Sequence, residues 1–109
     1  MGRSAEANLR AMVGSLARRK GRMAEERVKN MAESMGLSVE SGPDYHGKVD
    51  LIIRRGDGWP ILVQVSVGPK SKGARRGLKK RGIVPIVAGP EVSDARLREQ
   101  LEQLIELLG

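Results

Sequence analysis

The chain of 109 residues has no cysteine, no phenylalanine, one tyrosine (Tyr45), one tryptophan (Trp59) and one histidine (His46). The missing cysteine excludes disulfides, thiolate metal sites and thiol nucleophiles. With almost no aromatics, any core must be aliphatic. No apolar run approaches the roughly 20 residues needed to cross a bilayer. The start of the chain is polar and charged, unlike the apolar segment of a secretory leader. These absences predict a soluble, cytoplasmic protein forming one domain over residues 1–109 with a single core of modest size.

Positive charge is what the chain has in excess. Its formal net charge is +7, and the charge is concentrated. Residues 1–30 carry eight Lys/Arg against three Glu, and residues 68–82 carry seven Lys/Arg and no acid. Residues 83–109 reverse the balance, with two Arg against five Asp/Glu. Two basic blocks on a small domain point to a polyanionic partner, and a nucleoid-associated location follows from that. The plainer alternative is a solvated basic face. Neither block has the bulky apolar face of an interfacial helix, so no membrane partner is expected.

Apolar spacing organises the rest. Ala5, Leu9, Met12, Val13 and Leu16 predict a helix over about 4–18, and Ala24, Val28, Met31, Ala32 and Met35 a second over about 21–35. Gly21 marks a break or bend between them, and Gly36 a stop. Strands are predicted at Leu37–Ser41, Val49–Arg55, Ile61–Val67 and Ile83–Ala88. Gly56-Asp57-Gly58 predicts a hairpin between the second and third. Pro85 puts the fourth at an edge or bulge, and 68–82 is long enough for a crossover with a short helix. Ser93 is placed to cap a closing helix with Leu97, Leu101, Leu104, Ile105 and Leu108 on its inner stripe. The fold class is α/β, with a mixed sheet flanked by helices.

Three short stretches follow in order: "KGRMAEERV" (Lys20–Val28), "KVDLII" (Lys48–Ile53) and "ILVQVSV" (Ile61–Val67). Over residues 18–89 the chain resembles the PD-(D/E)XK nuclease superfamily, and within it the archaeal Holliday junction resolvases. That resemblance implies a restriction-endonuclease-like fold preceded by an extra N-terminal helix (about 4–18). It places Glu25 on the family's helix Glu, Asp50 on its strand Asp, and Gln64 and Ser66 on the Glu and Lys of its E-x-K pair. Ser41 falls where resolvases have a Ser before a mobile loop. "GIVPIVA" resembles the family's following strand.

The implied activity is Mg²⁺- or Mn²⁺-dependent cleavage of branched or duplex DNA by a homodimer, with Glu25, Asp50 and Gln64 as metal ligands. Such chemistry needs hard oxygen ligands to hold the ion, and a cation near the scissile phosphate. Gln64 keeps an oxygen but no charge, and Ser66 lacks both the charge and the reach of Lys. Lys48, Lys70 and Lys72 are the nearest replacements. Two functions therefore remain open: a metal-dependent structure-specific endonuclease, and a catalytically impaired relative that binds DNA or RNA or serves in a nucleoprotein assembly.

Plainer readings stand beside each site residue. Glu25 with Lys29, and Arg22 with Glu26, are spaced for surface ion pairs. Asp50 is acceptable in an apolar run if its face is open to water, and Gln64 and Ser66 if they lie on the solvent side of an edge strand. The loop with Asp44, Tyr45 and His46 corresponds by resemblance to a DNA-facing segment. Alternatively, His46 is an ordinary exposed side chain. The phosphate-binding candidates are Arg18, Arg19, Lys20 and Arg22 in the first block, and Lys70, Lys72, Arg75, Arg76, Lys79, Lys80 and Arg81 in the second. In the second block Arg75/Lys79 and Arg76/Lys80 form two basic rows if helical.

Overall fold

Gly21 does not break the first helix. In the computed structural model, which describes residues 2–42 and 48–108 and the side chains of 18–42 and 48–107, α1 runs unbroken over Gly2–Ser34. The two helices expected on either side of Gly21 are one element. Glycine inside a helix costs only about 1 kcal/mol relative to alanine. Downstream, Ala24, Val28 and Ala32 are buried at four-residue intervals, so packing offsets that cost. The stripe expected at Ala5–Leu16 lies outside the described side chains.

α1 ends as the sequence predicts. Gly36 takes φ +83°, the Leu37 N–H reaches back to the Ala32 carbonyl (3.1 Å), and the Gly36 N–H bonds the Glu33 carbonyl (3.0 Å). This left-handed stop satisfies carbonyls the helix would otherwise leave open. The strands are β1 (Ser38–Ser41), β2 (Leu51–Arg54), β3 (Ile61–Ser66) and β4 (Ile83–Val87), in the spatial order β1-β2-β3-β4. β1–β2 and β2–β3 are antiparallel, the latter joined by the predicted hairpin, and β3–β4 are parallel. The crossover between β3 and β4 carries α2 (Lys72–Lys80), and α3 (Asp94–Leu108) closes the chain. Ser71 Oγ accepts the Ala74 N–H (3.2 Å) and Ser93 Oγ the Arg96 N–H (3.1 Å), capping α2 and α3.

The sheet has helices on both faces. On one, Ala24, Val28 and Ala32 of α1 and Leu97, Leu101 and Leu104 of α3 pack on Leu51, Ile53, Val63 and Ile86. On the other, Leu78 of α2 packs with Val49 and Ile83, flanked by Ile52 and Leu62. Strand alternation makes this division, sending Val63 to the larger core and Leu62 to the smaller. The result is a small α/β domain with a mixed four-stranded sheet. Among the described residues, no helix is long and apolar enough to cross a membrane.

Pro85 lies in β4, an edge strand, where a missing N–H is tolerated. At the C-terminal end of β4 the outer rim is met by Gln100, whose Nε2 donates to the Val87 carbonyl (2.8 Å) while its Oε1 accepts the Val87 N–H (2.9 Å). Arg27 ties α1 to the β4–α3 connection. It donates to the carbonyls of Gly89 (2.8 Å) and Val92 (2.6 Å) and pairs with Asp94 (2.9 Å).

Candidate nucleic-acid interface

α2 divides its residues by helical spacing. Lys72, Arg75, Arg76 and Lys79 recur at three- and four-residue steps and line one open surface depression of about 330 Å³. Leu78 is the helix's only buried residue. None of the ion pairs formed among the described residues involves these cations; the pairs are Arg27–Asp94, Lys29–Glu33, Arg96–Glu99 and Arg98–Glu102. A face of cations without carboxylate partners among the described residues is an electrostatic footprint for phosphates.

The opposite side of α2 overhangs the sheet. Gly73, Ala74 and Gly77 bring little side-chain volume there, leaving a cleft of about 350 Å³ that they line with Leu78, Lys48, Gln64, Lys70 and Arg81. Three cations and one amide thus surround a cleft between helix and sheet. β3 is an interior strand, flanked by β2 and β4, and Gln64 is half-buried in the cleft rather than on the solvent side of an edge. Ser66 turns into its own loop, its Oγ donating to the Gly68 carbonyl (2.9 Å).

Asp50 precedes β2 and continues the ladder with its side chain. Its N–H donates to the Val63 carbonyl (2.9 Å), and its Oδ2 accepts the Val65 N–H (2.8 Å). Asp50 is near enough to Glu25 of α1 to act on its ionisation. Burial pushes the Glu25 carboxyl above the usual carboxylate range, the Asp50 charge and hydrogen bond add to this, and Arg22 pulls partly the other way. The pairs expected on α1 are replaced: Lys29 joins Glu33 (4.0 Å), and Arg22 acts on Glu25.

Ser41, exposed on edge strand β1, pairs with Leu51, and the next residue's N–H donates to the Asp50 carbonyl (2.9 Å). Ser41 and Asp50 therefore lie at the end of the sheet where β3 finishes. Gln64 lines the α2 cleft, whose lining includes neither Glu25 nor Asp50, while Asp50 bonds the main chain between Gln64 and Ser66. Among the described residues, no group of three or more His, Cys, Asp or Glu converges on a point. Arg18, Arg19, Lys20 and Arg22 are exposed on α1 one or two turns upstream of Glu25. The loop holding Asp44, Tyr45 and His46 lies outside the described residues.

Sequence reasoning passed over Trp59, Arg27 and Gln100. Trp59 is 85% exposed at the β2–β3 hairpin, and its signal was visible: a lone indole in a Gly/Pro turn just after Arg54-Arg55. Arg27 and Gln100 bond main-chain groups far along the chain, which no local pattern marks. No family model, no curated protein and no solved structure matches this chain.

Proposed function

We propose that this protein binds nucleic acid through its phosphates, using the cationic outer face of α2 and the Lys48–Lys70–Arg81 cleft beneath it. The observation that carries the reading is the outer face itself, where Lys72, Arg75, Arg76 and Lys79 stand together without a carboxylate among them. A folded domain gains nothing from clustering like charges, since their repulsion opposes folding, whereas a polyanion offsets it. The resemblance to PD-(D/E)XK proteins supports a restriction-endonuclease-like arrangement and branched or duplex DNA as the target. The test is binding to a four-way junction, a linear duplex and a single strand at several salt concentrations. Strong, salt-sensitive binding supports the reading, and absence of binding removes it.

A second reading, a Mg²⁺- or Mn²⁺-dependent endonuclease, is favoured by the Glu25–Asp50 pair. Two carboxyl groups facing each other at a partly buried point fit a hard cation, which takes one or two carboxylates and keeps water or phosphate oxygens for the rest. Glu25 and Asp50 would hold it, and when bound it supplies an activated water and neutralises phosphate charge. The chain's own contribution would be to hold the nucleic-acid backbone with Lys48, Lys70 and the Gln64 amide in the cleft under α2. Cleavage of branched DNA that depends on divalent metal and is lost on Asp50→Asn supports catalysis. Metal-independent binding without cleavage leaves a nuclease-like fold used for binding.

The homodimer implied by the resemblance needs a surface other than two that sequence or sheet geometry would offer. The α3 stripe Leu97, Leu101 and Leu104 is used inside the core, and Gln100 occupies the C-terminal end of the β4 edge at Val87.

A further inference from the structure

The β2–β3 hairpin places the chain's one tryptophan in water. Arg54, Arg55, Gly56, Asp57, Gly58, Trp59 and Pro60 are all exposed, Trp59 by 85%. The turn is defined: Gly56 has φ +58°, and the Gly58 N–H bonds the Arg55 carbonyl (3.0 Å). A Cβ at Gly58 would lie 2.9 Å from that same oxygen, so the sequence keeps the turn tight. An indole here contributes nothing to the core, yet it is presented on a closed turn beside two arginines.

Topology brings this tip to the end of the sheet where the basic helix finishes. Because β3 and β4 are parallel with Leu62 beside Ile83, the residues entering β3 and those entering β4 come to the same end of the sheet. The first are Trp59, Pro60 and Ile61, and the second are Lys80, Arg81 and Gly82. The cations of α2 therefore lead toward Trp59, with Arg54 and Arg55 beyond it. A row of cations ending in an exposed aromatic is how a protein holds a strand by its backbone and stacks one of its bases.

We infer that Trp59 is a stacking platform for an unpaired base, and that the nucleic acid bound by α2 has a single-stranded segment at the hairpin tip. This rests on the proposed phosphate binding by α2 and adds the class of target. Paired bases are stacked on each other and offer no free face to an indole, so a closed duplex would engage α2 without Trp59.

Since Trp59 is the only tryptophan, its fluorescence reports the contact directly. The full chain is titrated with an oligo-dT strand and with a duplex of equal length at low salt. Quenching by oligo-dT and none by duplex is expected. Trp59→Ala should weaken oligo-dT binding roughly five- to hundredfold and leave duplex binding within about twofold, the size of effect losing one stacked base gives without touching phosphate contacts. Trp59→Phe should recover part of the loss. Binding of both nucleic acids with unchanged fluorescence, and with Trp59→Ala indistinguishable from the parent, overturns the stacking inference and leaves the phosphate reading standing. No binding to either overturns both.

Discussion

The carboxylate of Asp50 accepts the Val65 main-chain N–H at 2.8 Å, so a side chain completes the strand pairing where β2 starts. One group thus holds the end of the sheet and faces Glu25. Its two roles separate by substitution. Asp50→Ala leaves the Val65 N–H without its acceptor and should destabilise by about 1–2 kcal/mol. Asp50→Asn keeps an acceptor oxygen and should cost less than half as much, measured by urea unfolding. Equal losses for the two would mean that the hydrogen bond matters little.

Glu25 makes stability depend on pH in a definite direction. Its folded-state pKa is raised, chiefly by burial and then by Asp50, so the native state holds its proton where the unfolded chain has released it. This contribution is fully present below the unfolded pKa and is lost as pH rises through the higher folded value. Glu25→Gln should flatten that part of the stability–pH curve and raise the melting temperature near neutral pH. A variant curve parallel to the parent's throughout would contradict the assignment. Added Mg²⁺ should raise the parent's melting temperature near neutral pH, and Asp50→Asn should remove that rise, independently of any cleavage.

Gln100 makes two bonds to Val87 on the outer rim of β4. Gln100→Ala should cost about 1–3 kcal/mol and leave an edge strand open to pairing with other chains. The expected signature is a lower melting temperature together with concentration-dependent aggregation by light scattering. A less stable but strictly monodisperse variant would deny Gln100 the protective role.

The expectations that matched the structure had local causes. Gly56-Asp57-Gly58 can hardly be anything but a turn, Ser93 is three residues before the N–H it caps, and Gly36 stops α1 by its own backbone freedom. Alternation along Ile61–Ser66 put Leu62 and Gln64 on one face, but not which helix would lie over them, because that is decided by the crossover. Gly21 misled because a weak local penalty yields to packing farther along the same helix. In the candidate site, Glu25 and Asp50 were legible through family resemblance, while the cleft of Lys48, Lys70 and Arg81 was not. It depends on Gly73 and Gly77 facing the sheet, and a sequence records those glycines only as poor helix formers. Gly89 is similar: a Cβ there would fall on the Val67 carbonyl, a contact between residues distant in the chain.

Gly21 itself gives a simple check on the continuous α1. A Cβ at that position meets nothing within 4 Å. Gly21→Ala should therefore stabilise the protein by about 0.5–1 kcal/mol. Destabilisation would restore the bend that a separate N-terminal helix requires.

The most direct test of phosphate binding is the salt dependence of affinity for duplex DNA, in the parent and in a variant with Lys72, Arg75, Arg76 and Lys79 each changed to Gln. All four side chains are exposed, so the variant should fold as the parent does. Each phosphate contact contributes about 0.9 to the negative slope of log K against log salt. A steep slope is expected for the parent, reduced by about 3.6 in the variant if all four cations contact phosphates, with affinity lowered alike for unrelated sequences. Salt-independent binding, or a variant with the parent's slope, would contradict it.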